Sequence, residues 1–361
     1  MELPKNRKAD ISAMNIFLCL LVIFIHVSSA PVTTYEKSSL QYAVVFLLWR
    51  YANCAVQGFI FLGGLRFFLT KKDGINYKLF YWKRFVKIII PYLLWNVFFY
   101  AYFLYEGYIT ISLEDFSLHL LRGNLVSPFY FVVVIIQFYA LAPLWQLIIR
   151  KVRPAAALAV AAVITPFFGQ YLPVLLSMVF PGCVFKYNDR VLTTYVFYWL
   201  AGCYVGMHFN KAQDWLKKNK KLVFLSFTIV MLAEGALGYI SFTGIQHIAW
   251  LEYIHFLYCV VAVLFIFTIF SLFFENRSLR FKLLIEIDRA SYLIFLTHCL
   301  VIFIINDLIA NLGITSITVS YIIRIVTVYS LTITGCILWY KLKTRLLLSL
   351  KRKRLYNHDH A

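Results

Sequence analysis

The feature that most constrains this chain is a succession of apolar segments, each about 20 residues long, between residues 11 and 340. About 20 apolar residues in a helix span the hydrocarbon core of a bilayer. Backbone polar groups inside a bilayer must be satisfied within the element itself, so such segments fold as helices. The sequence therefore predicts an all-α, polytopic membrane bundle of about ten transmembrane helices, at residues 11–30, 45–69, 85–105, 129–149, 155–178, 193–209, 222–242, 252–274, 289–311 and 318–340.

The composition agrees with a membrane protein and argues against a nucleic-acid-binding protein. Hydrophobic residues make up 62% of the chain and charged residues 14%, whereas a soluble domain carries about 25% charged residues. The formal net charge is +19, but a nucleic-acid site needs the basic residues gathered on one face or groove. Here they lie in short runs between apolar segments. We therefore expect the lipid bilayer as a partner and no nucleic acid.

The positions of the basic residues predict the orientation of the chain. Most of the 35 Lys and Arg residues fall in alternate connections, while the opposite connections hold only Lys37, Arg122, Lys186 and Arg190. Lysine and arginine concentrate on the cytoplasmic side of membrane proteins, so both termini are expected to be cytoplasmic. The longest connection, 106–128, is too short for a soluble domain, so residues 1–361 are expected to form one membrane domain with a basic tail at 341–361.

Cysteine usage indicates neither a disulfide framework nor a metal site. Six cysteines fall inside apolar segments and Cys183 falls in a loop, with no spacing typical of metal ligands. We expect no metal.

The first apolar segment carries His26 where a membrane anchor would carry leucine. An ionisable residue inside a span is costly and marks a functional site by default. The alternative is a neutral imidazole that a water molecule or a backbone carbonyl satisfies. Spacings of three and four residues place His26 in one stripe along the helix, together with Ser12, Asn15, Cys19 and Val22. The stripe is expected to face protein or a cavity.

Basic residues at the cytoplasmic edge of the third span suit the binding of a phosphate. Arg84 and Lys87 are three residues apart and are expected to share a helical face, and Arg66 at the end of the second span could join them. Such cations grip phosphate groups. The alternative is that they only fix the topology and extend to lipid headgroups.

A third set of polar residues is placed by the predicted topology in the outer half of the bundle. Charges inside membranes almost always pair or face water, so Arg50 or Arg324 is expected to pair with Glu234 or Glu252, and the sequence leaves the choice open. Glu252 and His255 share a helical face and could act as acid and base, although a structural ion-pair network is the alternative. The set comprises Arg50, Asn53, Gln57, Glu234, Glu252, His255 and Arg324.

A second deep histidine, His298, ends the segment ASYLIFLTH at 290–298 in the ninth span. Taken alone, such a histidine is more often a helix–helix hydrogen bond than a catalyst. Nucleotide-binding, serine-hydrolase and Cys/His metal motifs are missing from the sequence.

These segments, taken in order, resemble the integral-membrane acyltransferase 3 family. The resemblance covers nearly the whole chain and rests on His26 followed by GFIFLGGLRFF (58–68), KRFVKIIIPYLLW (83–95), PFYFVVVIIQFYALAPLW (128–145), YWLAGCYVG (198–206) and SYLIFLTH (291–298). Members of the family O-acylate surface glycans and related acceptors. The chain departs from the family pattern at Asn15, where arginine or lysine is usual, at Pro128, where many members have histidine, and at Gly63, where serine is usual.

The resemblance implies an O-acyltransferase in a bacterial plasma membrane that moves an acetyl- or succinyl-type group. The donor is expected to be cytoplasmic acyl-coenzyme A, a co-substrate rather than a cofactor, and the acceptor a hydroxyl of a cell-surface or lipid-linked glycan. His26 corresponds to the family's essential histidine, and Arg84 and Lys87 to its basic residues between spans two and three. His26 would act as general base. Donors to the oxyanion are needed as well, for which Tyr292, Ser291 and Asn15 are candidates, with His298 as further support.

The competing hypothesis is a transporter or exporter of a glycan or lipid-linked substrate that transfers no acyl group. Secondary transporters often contain internal repeats. The sequence shows none, which favours the enzyme.

Overall fold

The computed structural model describes residues 8–69, 75–182, 184–275 and 281–359, with side chains described as far as residue 346. Within these ranges the chain is all-α, as predicted, and its helices are α1 (Ala9–Thr34), α2 (Leu40–Ala52), α3 (Ala55–Leu69), α4 (Tyr77–Arg84), α5 (Ile90–Tyr105), α6 (Leu113–Arg122), α7 (Tyr130–Ala140), α8 (Ala142–Lys151), α9 (Pro154–Val179), α10 (Val196–Met207), α11 (Phe209–Thr243), α12 (Leu251–Phe273), α13 (Lys282–Asn311) and α14 (Ile317–Asp359). A π-helical turn, Phe85–Ile89, joins α4 to α5.

The protein is a multi-pass membrane bundle, but its spans are less regular than the predicted ten. In the described ranges eight helices, or continuous helix pairs, are long and apolar enough to cross a membrane. The number is nine if α6 and the segment Ser127–Ala140, which meet at 58°, form one broken span. The predicted spans at 129–149 and 193–209 are the two that differ. The first divides between α7 and α8, and the second is α10, whose 12 residues rise only about 18 Å.

The short helix α10 lies in the interior, where it packs closely along α3. Small residues permit this approach. A Cβ atom added at Gly202 would collide with the backbone carbonyl oxygen of Phe61, and one added at Gly64 would collide with that of Trp199. Glycines at such contacts let helix backbones touch in membranes. The ring of Trp199 is fully buried and stacks on Phe138, with 4.7 Å between ring centroids.

The first helix, α1, is central to the bundle. It packs against α2, α3, α12, α13 and α14, and its residues belong to two apolar clusters. One cluster extends through α3, α7, α10 and α12. The other joins α1 to α13 and α14. The side chains of α1 therefore lie where both halves of the bundle meet.

The six cysteines predicted to lie in apolar segments are buried and carry free thiols: Cys19, Cys54, Cys203, Cys259, Cys299 and Cys336. Cys183 lies outside the described residues.

Candidate active site

A cavity of about 240 Å³, which we call the inner pocket, opens at the end of the bundle where α1, α5 and α13 begin and α3 ends. Its polar lining comes from α1, α3, α13 and the π-helical turn, and its remaining walls are aromatic and aliphatic. The polar residues are Asn15, Arg66, Lys87, Ser291 and Tyr292. These are five of the residues that the sequence analysis selected, and the fold brings them together from distant parts of the chain.

Asn15 links the basic and acidic groups of the inner pocket. It is 4% exposed, and its side-chain amide donates to Asp288 Oδ1 and to Ser291 Oγ, each at 2.9 Å. Its oxygen accepts from Arg66 Nη1 at 3.1 Å. Arg66 thus supplies a positive charge beside Asn15.

The sequence analysis missed Asp288, which is 1% exposed. The available signal was an acidic residue three positions before Ser291, on the same helical face. A buried carboxylate needs partners, and Asn15 is one of them.

The π-helical turn shapes the edge of the inner pocket. Lys87 and Ile88, both within this turn, line the cavity, and the hydroxyl of Tyr292 donates to the Ile88 carbonyl at 2.9 Å. Single π-helical turns inside α-helices occur frequently at functional sites.

That Arg84 and Lys87 share a face stays a prediction, and the surroundings of the two side chains differ. Lys87 lines the inner pocket, whereas Arg84 is not among the lining residues. The Arg84 guanidinium lies over the rings of Phe80 and Tyr139, at 4.9 and 4.5 Å from their centroids.

The two histidines lie together, deeper in the bundle. The rings of His26 and His298 have centroids 5.2 Å apart and are tilted by 42°. His298 is fully buried, and its Nδ1 lies 3.2 Å from the Ile294 carbonyl oxygen. His26 is only half-buried. Of the two imidazoles, His26 is therefore the more exposed.

One aromatic side chain connects the histidine pair with the inner pocket. Phe295 lines the pocket, and its ring centroid lies 6.3 Å from that of His298. Along α1, the eleven residues from Asn15 to His26 correspond to about 16 Å. Asn15 therefore lines the pocket well away from His26.

The predicted polar stripe of α1 faces α13 and is confirmed as an interior face. Ser12 is fully buried and Val22 is 4% exposed. The thiol of Cys19 lies 3.7 Å from the Ser291 carbonyl oxygen. Helix α13 contacts this stripe at Asn15, through Asp288, and at His26, through the ring of His298.

At the opposite end of the bundle, Arg50 forms the predicted ion pair with both glutamates. Arg50 Nε lies 2.5 Å from Glu234 Oε1, and Arg50 Nη2 lies 3.4 Å from Glu252 Oε1. Glu234 is fully buried, and it also binds His255 Nδ1 at 2.8 Å. The carboxylate that hydrogen-bonds His255 is thus Glu234, on another helix, and not its helical neighbour Glu252.

Arg324 does not belong to this cluster, which corrects the prediction. Its Nε donates to Asn306 Oδ1 at 2.6 Å. The reason is topological, because α14 packs against α13 and α1, whereas Arg50, Glu234 and Glu252 lie on α2, α11 and α12.

Comparison with known proteins gives a family match and two distant relatives. Residues 8–341 match the model of a family described as an acyltransferase domain. Two curated proteins of Staphylococcus epidermidis are similar, each named as a probable poly-beta-1,6-N-acetyl-D-glucosamine export protein. Each is 24% identical over 251 residues, which are 67% of this chain and 66% of the relative. The chain thus spans slightly less than two thirds of the relatives' length. No solved structure matches.

Proposed function

Because this chain belongs to the acyltransferase family, we propose that it transfers an acetyl- or succinyl-type acyl group from acyl-coenzyme A to a hydroxyl of a cell-surface or lipid-linked glycan. The donor enters from the cytoplasm through the inner pocket, and the protein resides in the plasma membrane. The observation that carries this proposal is the half-buried His26, held against His298 beyond a pocket lined by Arg66 and Lys87.

In the proposed reaction, His26 acts as general base. A ring nitrogen of His26 accepts the proton as the acceptor oxygen attacks the thioester carbonyl. The tetrahedral intermediate collapses, the carbon–sulfur bond breaks, and the imidazolium returns its proton to the leaving thiolate. Atoms and charge balance, so the products are an O-acyl ester and free coenzyme A.

The inner pocket is proposed to hold the donor by its phosphates. Lys87 is exposed at the cavity and Arg66 lies within it, and both cations suit phosphate oxygens. Asn15, through its hydrogen bonds to Arg66 and Asp288, is proposed to orient the arginine rather than to stabilise the oxyanion. Phe295 lies on the way from this pocket to the histidines.

The experiment that tests the proposal is the change His26→Ala, compared with His247→Ala, an exposed histidine in the connection between α11 and α12. O-acylated glycan is quantified in cells at matched protein level. We expect His26→Ala to lower acylation by about 10²–10⁴-fold, the usual contribution of a general base, and His247→Ala to leave it unchanged. Undiminished acylation with His26→Ala would overturn the role of His26.

A second candidate function, glycan export, is favoured by the name of the two relatives. The same cells distinguish it. If the protein exports a glycan without acylating it, the amount of surface glycan falls when the protein is deleted, and no acyl ester depends on its presence. If it is an acyltransferase, the deletion removes the ester.

A further inference from the structure

A second cavity, which we call the outer pocket, lies at the end of the bundle where α11 ends and α12 begins. It measures about 220 Å³ and is bounded by α3, α9, α10, α12 and the segment 188–195. None of its lining residues lines the inner pocket. It is smaller than the roughly 300–1,000 Å³ of pockets for drug-sized ligands, so it suits one compact ligand.

Two glutamine side chains line the outer pocket with buried amide oxygens that lack a partner. Among the described residues, neither Gln57 Oε1 nor Gln170 Oε1 has a hydrogen-bond partner. Buried polar atoms in native proteins are almost always satisfied. A ligand that fits here must therefore offer hydrogen-bond donors, such as hydroxyl groups.

The walls of the outer pocket are aromatic and fixed in place. Tyr195, Tyr198, Tyr253 and Phe256 line it. The hydroxyl of Tyr195 donates to the Asp189 carbonyl at 3.0 Å, and that of Tyr198 to the Phe256 carbonyl at 3.3 Å. The rings of Tyr195 and Tyr198 are thus tied to the backbone. Aromatic walls with a few convergent polar groups are typical of small-molecule sites.

The ionisable groups that line the outer pocket are already paired within the protein. Glu252 binds Arg50, Asp189 binds Arg190 at 2.6 Å, and His255 binds Glu234. An anionic ligand would lie beside the carboxylates of Glu252 and Asp189, with no Lys or Arg among the described lining residues, whereas an uncharged ligand meets no such repulsion. The chemistry therefore favours a neutral molecule that combines several hydroxyl groups with a flat apolar face, which describes a sugar ring.

From these observations we propose that the outer pocket binds one uncharged sugar unit. This inference rests on the proposed function, in which the sugar unit is part of the glycan acceptor. The acceptor would then bind apart from the inner pocket, through which the acyl donor enters. Gln57 Oε1 and Gln170 Oε1 accept hydrogen bonds from hydroxyl groups of the sugar, and the apolar face of the sugar packs on Tyr253 or Phe256.

The test is a binding measurement that needs no turnover. The full-length protein in nanodiscs is titrated with the methyl glycosides of glucose, galactose, N-acetylglucosamine and glucuronic acid. Saturation-transfer NMR measures the binding of each glycoside. We expect saturable binding of at least one neutral glycoside and weaker binding of the glucuronide. The double variant Gln57→Leu/Gln170→Leu should weaken the neutral glycoside about tenfold or more, since two hydrogen bonds are lost.

Two further variants keep the test decisive. Gln41→Leu makes the same chemical change at an exposed position outside the pocket and should leave binding unchanged. Tyr253→Ala alters an exposed side chain, so the fold should be retained even if the double variant misfolds, and binding should again weaken. Absence of saturable binding by the wild type, or equal binding by wild type and both pocket variants, would overturn the proposal. If the pocket variants weaken glycoside binding but the protein transfers no acyl group, the sugar site stands and only the proposed function is overturned.

Discussion

Lys87 and Arg84 are both basic and three residues apart, yet their surroundings differ. Lys87 is exposed at the inner pocket, while Arg84 covers the rings of Phe80 and Tyr139. Lys87→Ala should therefore raise the KM for acyl-coenzyme A about tenfold, close to the loss of one charge-assisted hydrogen bond of roughly 1.5 kcal/mol. Arg84→Ala should leave this KM nearly unchanged and lower thermal stability through lost packing.

Steady-state kinetics in proteoliposomes, with acyl-coenzyme A varied at a saturating acceptor concentration, measures both variants. An equal rise in KM for both would mean that Arg84 also binds the donor. An unchanged KM for Lys87→Ala would leave this lysine with a topological role alone.

The ion pairs of Arg50 provide a prediction about stability. Glu234 is fully buried and binds Arg50 at 2.5 Å, while the side chain of Glu252 is 64% exposed and its contact is 3.4 Å. Glu234→Gln leaves a buried arginine without its main counter-charge, so it should cost about 3–5 kcal/mol. Glu252→Gln should cost at most about 1 kcal/mol, as expected for an exposed pair. Unfolding in mixed micelles, titrated with SDS, compares the two, and equal losses would contradict the assignment.

The ion pairs of Arg50 show which contacts of single residues can be predicted from the sequence. Burial cost alone predicted that Arg50 would pair with an acid, because a lone charge in a membrane is unfavourable. It could not decide between Arg50 and Arg324, since that choice depends on which helices are neighbours. For the same reason the contact between Asn15 and Asp288, 273 positions apart, could not be predicted.

At the scale of elements, hydropathy located the helices well and their breaks poorly. The predicted span 252–274 differs from α12 (Leu251–Phe273) by one residue at each end. The predicted span 45–69 is two helices, α2 and α3, which meet near Asn53. The side-chain amide of Asn53 donates to the Trp49 carbonyl. Apolar content does not record such interruptions or the π-helical turn, because they arise from local backbone hydrogen bonding and leave mean hydropathy unchanged.

The close packing of α3 on α10 gives a prediction at this scale. A Cβ atom at Gly202 would meet the backbone of Phe61, which has little room to move, whereas one at Gly335 on α14 meets nothing within 4 Å. Gly202→Ala should separate the two helices and cost about 1–3 kcal/mol or more, as overpacking does. Gly335→Ala should be neutral or slightly stabilising, because alanine is the better helix former. Melting temperatures in detergent compare the variants, and an unaffected Gly202→Ala protein would refute the close approach.

At the scale of the whole molecule, the fold separates two kinds of site. The inner pocket gathers Arg66 and Lys87 where α1, α5 and α13 begin, and the outer pocket gathers aromatic and amide side chains where α12 begins. The two pockets lie at opposite ends of the bundle. Successive helices such as α11 and α12 run in opposite directions, so the start of α12 lies at the other end from the starts of α1 and α13. Such an arrangement suits a reaction whose donor and acceptor approach from opposite sides of a membrane.

The orientation of the bundle is the prediction that belongs to this scale. The distribution of lysine and arginine predicts that both termini and the inner pocket face the cytoplasm. In a Cys183→Ser background, Ser38→Cys in the exposed connection between α1 and α2 should react with a membrane-impermeant maleimide in intact cells. Thr344→Cys, an exposed position of α14, should react only after lysis. The six buried thiols should stay unlabelled, which the Cys183→Ser protein alone verifies. Labelling of Thr344→Cys but not Ser38→Cys in intact cells would reverse the bundle, and the inner pocket would then face away from the cytoplasmic pool of acyl-coenzyme A.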